Sequence, residues 1–392
     1  MAKATTPRLV APKPFIQRPA PITGLLAPER FMKLVGAVLF IAALVFPFIT
    51  ATPYLISILT SAMIYIVLAM GLNVVVGYAG LLDLGYIAFM AVGAYTSGIL
   101  TTQFGLSMLE TIPFVIIACI IAGVVIGGPT LRLRSDYLAI VTLGFGEIIR
   151  ITANNLKITG GPSGIHGIPS WSFFGWSFDD GLDIGGVHFG PKILFYYFVL
   201  IVGVGFAVVA VARLGRGKLG RAWKSVRDDE DVSEAMGING YTTKLAAYII
   251  GAVWGGFAGT LMAGHLSAIS PNSFEFLYSA LVLMAVVLGG MGSTPGVIIG
   301  ALFVSLAPEF LREFSEWRYL LFGVLLVVAM IFRPQGIWPA NAVLPFLKKR
   351  EIPEIPPTEA VGVVGVDADY VGEVHDTDAR ATARTEDEEG TR

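Results

Sequence analysis

Two groupings of charge could do chemistry in a chain that carries few. In LRLRSDYLAIVTLGFGEIIRI (131–151), Glu147 and Arg150 stand three residues apart inside an apolar run. That spacing lets a carboxylate and a guanidinium pair on one helix face. In GRAWKSVRDDEDVSEAMGI (220–238), Arg221, Lys224 and Arg227 run into Asp228, Asp229, Glu230, Asp231 and Glu234. Neither grouping is a catalytic constellation. The sequence holds no G-x-x-x-x-G-K-[ST] to cradle nucleotide, no H-E-x-x-H and no G-x-S-x-G elbow. Its four histidines are scattered, and His265 with Glu275 falls short of the three or four ligands a metal needs. Cys119, the one cysteine, has no partner for a disulfide. No catalytic residue, metal or cofactor is expected on this chain.

The elements that must position these charges are membrane spans. The chain is 55% hydrophobic and 14% charged, with a mean hydropathy of +0.72. Several apolar runs reach the ~18 to 20 residues that cross ~30 Å of hydrocarbon, and they lack the polar face of a buried soluble helix. The pattern predicts an all-α polytopic membrane protein of about ten transmembrane helices. They are placed near 33–49, 54–77, 84–103, 111–130, 136–153, 192–212, 243–264, 276–289, 296–312 and 318–334. The eighth and ninth are short and flank GGMGSTPG (289–296), so one long broken or re-entrant segment is the alternative to that pair.

Basic residues before the first span, after the fourth (Arg132, Arg134), after the sixth (213–227) and after the last (348–350) all fall on one side when there are ten spans. The positive-inside rule makes that side, and both termini, cytoplasmic. The expected organisation is a disordered cytoplasmic arm at 1–30, a transmembrane domain at 31–345 and an acidic, disordered cytoplasmic tail at 346–392. Within the domain, 154–191 is an external loop whose aromatic WSFFGWSFDDG is either an interfacial belt or a rim for a partner.

The charged stretch then lies in a cytoplasmic loop, 213–242. Topology and lipid headgroups account for its basic half. The acidic half reads as a short surface helix, with Asp228 and Asp229 in its first turn. Val232, Ala235 and Met236 form a small apolar face, and Gly237 is the left-handed stop. An anionic leaflet would repel those acids, so the helix reads as a docking element for another protein.

That stretch resembles the coupling loop of ABC importer permeases, whose Glu-Ala-Ala…Gly motif inserts into a groove of the ATPase subunit. Here Glu230 lies one residue further from Gly237 than the family spacing, and Val232-Ser233 replace alanines. Other blocks narrow the resemblance: GLNVVVGYAGLLDLGYIAFMAVGAY (71–95), LRLRSDYLAIVTLGFGEIIRI, NNLKITGGPSGIHGIP (154–169), VVLGGMGSTPGVIIGA (286–301) and IFRPQGIWP (331–339). Together they look like the LivM-type permease subunit of the branched-chain (hydrophobic) amino-acid ABC importers, across most of 71–339. The resemblance implies a multi-pass protein of a bacterial plasma (inner) membrane. It implies two ABC ATPases carrying ATP and Mg, a LivH-type sister permease, an extracytoplasmic amino-acid-binding protein, surrounding membrane lipid and no nucleic acid as partners. Arg221, Arg227, Glu230, Glu234, Ala235 and Gly237 would then contact the ATPase.

Residues at bilayer depth have two readings each. Glu147, about 16 Å of helical rise past Asp136, and Arg150 either brace span five or line a translocation path. Asn73, Asn154 and Asn155 are interhelical hydrogen-bond donors or path residues. The breaks GYAGLLDLG (77–85, with Gly77 and Gly80) and GGMGSTPG (with Gly289, Gly290 and Gly292) are close-packing sites or paired interruptions at a pathway. A urea or short-amide permease of the same architecture is an alternative. An ion-coupled secondary transporter using Glu147 and Arg150 is another, and it leaves the acidic helix without a role.

Overall fold

A computed structural model describes residues 53–132, 135–169 and 191–310, with short stretches within 171–189 and single positions within 40–46 and 317–338. These residues belong to one compact unit, Met1–Ala342. The expected arm at 1–30, most of the first and last spans, and the tail at 346–392 lie outside the described residues.

The described chain is mostly helical. Helices run α1 (Pro53–Leu72), α2 (Ile87–Phe104), α3 (Met108–Thr130), α4 (Ser135–Asn155) and α5 (Pro191–Arg216). They continue as α6 (Lys218–Asp228), α7 (Glu230–Ala235), α8 (Gly240–Leu266), α9 (Phe276–Gly289) and α10 (Thr294–Phe310). Five segments among the described residues are long and apolar enough to cross a membrane: Tyr54–Tyr78, Met108–Thr130, Tyr196–Arg216, Gly240–Leu266 and Pro271–Gly289.

The helical expectation holds, with an addition: among the described residues three small two-stranded sheets occupy the connections. Ile165–His166 pairs antiparallel with Ala268–Ile269, Ser172–Phe173 with Trp176–Ser177, and Leu182–Ile184 with Val187–Phe189. Strands this short carry no period-2 signal, and pairing gives loop backbone groups hydrogen-bond partners that no helix supplies.

Helix α8 is the pillar of the bundle. Small residues let backbones approach along it, the packing device expected where apolar solvent gives helices no reason to associate. Gly93 of α2 faces Gly256, and a Cβ at Gly93 would come within 2.5 Å of the Gly256 carbonyl carbon. A Cβ at Gly259 would lie 2.8 Å from the Ala94 nitrogen. Cys119 of α3 fills the space over Gly256 and is buried, which explains an apolar, unpaired thiol. Tyr86 donates its hydroxyl to the Gly251 carbonyl at 2.7 Å, joining the start of α2 to mid-α8.

Helices α9 and α10 fold back on each other across GGMGSTPG, so that a Cβ at Gly300 would lie 2.8 Å from the Gly289 nitrogen. The segment is a turn between two helices, an arrangement shared by two short spans and a re-entrant hairpin. The ends of α1, α3, α5 and α9 and the starts of α4, α8 and α10 gather at one end of the bundle, with α6 and α7. Arg132 and the basic residues within 213–227 lie there too. At that end Tyr241 donates its hydroxyl to Gly128 at 3.2 Å, and Arg132 lies 5.7 Å above its ring.

Gly259→Leu should force α2 and α8 apart and destabilise the bundle by about 3 kcal/mol. Gly128→Ala, whose Cβ would meet only the Tyr241 hydroxyl at 3.8 Å, should leave the melting temperature of the detergent-purified protein unchanged. Equal melting temperatures for both variants would mean the α2–α8 contact is looser than described.

Candidate functional site: a junction beneath two glycine breaks

The charged stretch forms two helices rather than one. Asp228 ends α6, and Asp229 turns the chain as the N-cap of α7, its carboxylate accepting from Val232 N–H at 3.0 Å. Asp228 therefore does not sit in the first turn of the docking helix; Glu230 and Asp231 do, where negative charge suits the helix dipole. Gly237, at φ 85°, ends α7 as expected. Its N–H donates to Glu234 at 2.9 Å and Ile238 N–H donates to Ser233 at 3.0 Å, the paired bonds of a left-handed helix stop.

Underneath, α6 is anchored firmly. Trp223 is fully buried and donates its indole N–H to the Thr243 carbonyl at 2.9 Å. Ser225 and Ser233 share a hydroxyl contact at 2.7 Å that clamps α6 to α7. Glu230 pairs with Lys244 of α8, so this acid has a partner within its own chain. Arg221 caps the preceding helix by donating to the Arg216 carbonyl at 3.0 Å. Glu234, Ala235 and Gly237 stay exposed, as do Val232 and Met236 at 59% and 79%. The small apolar face foreseen at 232–236 thus points away from the fold.

Arg227 does something the sequence did not suggest. Its guanidinium donates to the Gly77 carbonyl, and its aliphatic stem covers Gly80. Gly80 has φ 72°, and a Cβ there would lie 2.7 Å from the Arg227 Cγ, so both backbone and space call for glycine. Residues Asn73–Tyr78 leave the α-helical path for a π-helical turn before the break. Such turns widen the backbone and expose carbonyls to outside donors.

The second glycine break closes onto the first. Gly292 N–H donates to the Asn73 carboxamide oxygen at 2.8 Å. A Cβ at Gly77 would press to 2.5 Å from the Gly292 nitrogen. The Tyr78 hydroxyl lies 3.5 Å from that of Thr294, and the Lys224 ammonium sits 5.5 Å above the Tyr78 ring. Residues 336–338 of the closing IFRPQGIWP also arrive here, with Ile337 N–H donating to Leu288 at 2.8 Å and Trp338 N–H to Gly289 at 3.0 Å. Gly336 lies against Gly290, which has φ 119°. Of the sequence candidates, Asn73, Gly77, Gly80, Arg227, Gly289, Gly290 and Gly292 thus meet in one place.

Glu147 and Arg150 do not. They form the expected i, i+3 ion pair on α4, with side chains 40% and 25% exposed. Asn155 bonds the Ile151 carbonyl of its own helix at 2.8 Å, and Asn154 lines a shallow hollow with 157–162. His265 ends α8 and sets its ring edge against Tyr196, centroids 5.7 Å apart. Asp83 was passed over. It is fully buried within the first break, and its Oδ1 accepts from Gly85 N–H at 2.9 Å. The signal was available, since Asp83 is the only Asp, Glu, Lys or Arg within 53–109.

Residues 54–330 match the family described as "Branched-chain amino acid transport system / permease component". The chain is 44% identical over 319 residues to the high-affinity branched-chain amino acid transport system permease protein LivM of Escherichia coli K12, covering 78% of this chain and 75% of that one. It is 27% identical over 306 residues to the permease protein BraD of Pseudomonas aeruginosa, covering 71% and 92%. The permease protein LivH of Escherichia coli K12 is 22% identical over 288 residues, covering 70% and 90%. No solved structure matches.

Asn73→Ala should strand the part-buried Gly292 N–H and destabilise the protein by about 1 kcal/mol, the low end of the cost of an unmet donor. Thermal unfolding of the purified chain checks this. An unchanged melting temperature would mean that the two breaks do not depend on this bond.

Proposed function

The chain belongs to the branched-chain amino acid transport permease family, and on that premise we propose that it is a membrane-embedded permease subunit of an ATP-binding-cassette importer for branched-chain, hydrophobic amino acids. It sits in the bacterial inner membrane, with the α6–α7 end and both termini in the cytoplasm and ten spans in all. It carries no nucleotide itself. ATP and Mg are handled by two separate ATPases, a sister permease completes the pore, and a binding protein outside delivers the amino acid.

The observation that carries this reading is the placement of α7. Its exposed face of Val232, Met236 and Gly237 is rigidly mounted on α6, and α6 reaches through Arg227 to the junction of both glycine breaks. A force applied at α7 therefore arrives where α1 loses its α-helical path and where α9 turns back into α10. Asn73, Gly77, Gly80, Gly289, Gly290 and Gly292 form the inner gate region of the path, and their small size lets backbones slide past each other. ATP-driven closure of the ATPases shifts α6–α7, and the junction opens or seals the inner end of the pore. Glu230, held by Lys244, shapes the docking surface; Glu234 and Ala235 meet the ATPase directly. Glu147 and Arg150, on another helix, form a separate part of the path wall.

Affinity purification of the tagged chain from native membranes should recover two P-loop ATPases, a homologous permease and an amino-acid-binding protein, identified by mass spectrometry. Recovery of this chain alone would overturn the importer reading. Met236→Glu or Gly237→Trp, both outside the packed core, should cut leucine uptake at least tenfold while membrane levels stay normal. Loss of the protein from the membrane would assign α7 a folding role instead.

A further inference from the structure

The exposed sides of the long helices differ in kind. On α3, Phe114, Ile117, Ile121 and Val125 make an unbroken apolar stripe, and Val202, Phe206 and Val209 do the same on α5. Lipid tails satisfy such faces without further explanation. On α4 the stripe steps through exposed Ile140, half-buried Gly144 and Glu147, and exposed Ile148 and Ile151, at intervals that keep it on one side of the helix. An added Cβ at Gly144 would meet nothing within 4 Å of this chain. Beside it, the Glu147–Arg150 pair is 40% and 25% exposed, and Glu275 at the start of α9 lies within electrostatic reach of Arg150.

On the ten-span reading α4 crosses the bilayer, where an ion pair facing hydrocarbon is strongly disfavoured and polar groups face protein or water. Helix α4 meets its own bundle along its other side, where Thr142 accepts from Leu84 N–H at 3.1 Å and Gly146 lies against Gly85. The stripe is therefore not a lipid face, and among the described residues none covers it. A homologous permease is the occupant that fits. LivH is related to this chain over 70% of its length, so such a partner has a counterpart of α4. Two related subunits facing each other about a pseudo-twofold axis bury like surfaces together. A small residue at the crossing permits close approach.

We propose that the Ile140–Gly144–Ile151 stripe of α4 is the surface against which a sister permease packs, with Gly144 at the crossing and the Glu147–Arg150 pair in a water-accessible seam between the subunits. This rests on the permease reading.

The test is site-specific photocrosslinking in native membranes of the intact complex, with p-benzoylphenylalanine placed singly at Ile140, Ile148 and Ile151 of α4. Ile117 and Ile121 of α3 and Phe206 of α5 serve for comparison. The α4 positions should yield a heavier product whose peptides come from the sister permease, while the α3 and α5 positions should not. Gly144→Trp, which has room within its own chain, should leave the chain's melting temperature unchanged and lower the co-purified sister permease at least tenfold. Products from α4 containing only a second copy of this chain, or sister-permease products from α3 or α5 alone, would overturn the packing face and leave the importer reading standing. Absence of any second permease from the purified complex would overturn both.

Discussion

Where a helix stops or leaves its regular path, its backbone donors and acceptors need new partners. Among the described residues this happens at the glycine-rich segments 77–85 and 289–296, and the structure around them is organised to meet that demand. Gly77 carbonyl receives the Arg227 guanidinium, Gly292 N–H finds Asn73, and the carbonyls of Leu288 and Gly289 accept from Ile337 and Trp338. Each partner comes from a different part of the chain. Satisfying the breaks therefore ties α1, α6, α9 and the segment at 336–338 into one unit.

That tie gives the charged helices their meaning. A surface helix attached only by its connecting loops would dissipate any push it received. Here α6 is fixed by buried Trp223, α7 is fixed to α6 through Ser225 and Ser233, and Arg227 extends the assembly into the first break. Close backbone contacts hold the junction as they hold α8: Gly77 lies against Gly292 and Gly336 against Gly290, as Gly93 lies against Gly256. A contact packed this tightly switches between discrete arrangements rather than deforming continuously.

Much of this was legible in the sequence. Apolar runs reveal helices that pack on all sides, and a dense cluster of charge in such a chain reveals a surface element. Gly237 was readable as a stop because left-handed backbone favours glycine, and the i, i+3 spacing of Glu147 and Arg150 was enough to pair them. The division of the charged stretch into α6 and α7 was not legible. Asp229 can begin a helix or continue one, and only the extended φ of −158° at that residue separates them. Nor was the partner of Arg227, since no local pattern relates it to a carbonyl 150 positions away. Asp83 was overlooked because it lay within a glycine-rich motif that already had an explanation. The small strands are too short for any periodicity to announce them.

In the proposed importer Arg227 carries the motion of α6–α7 to the glycine breaks. Proteoliposomes containing the whole complex test this role, with leucine uptake and ATP hydrolysis measured side by side for the unmodified chain and for Arg227→Ala. Hydrolysis should persist while uptake falls at least tenfold, because ATPases docked on α7 would no longer move the junction. Uptake and hydrolysis that fall in proportion, or uptake that survives intact, would contradict it.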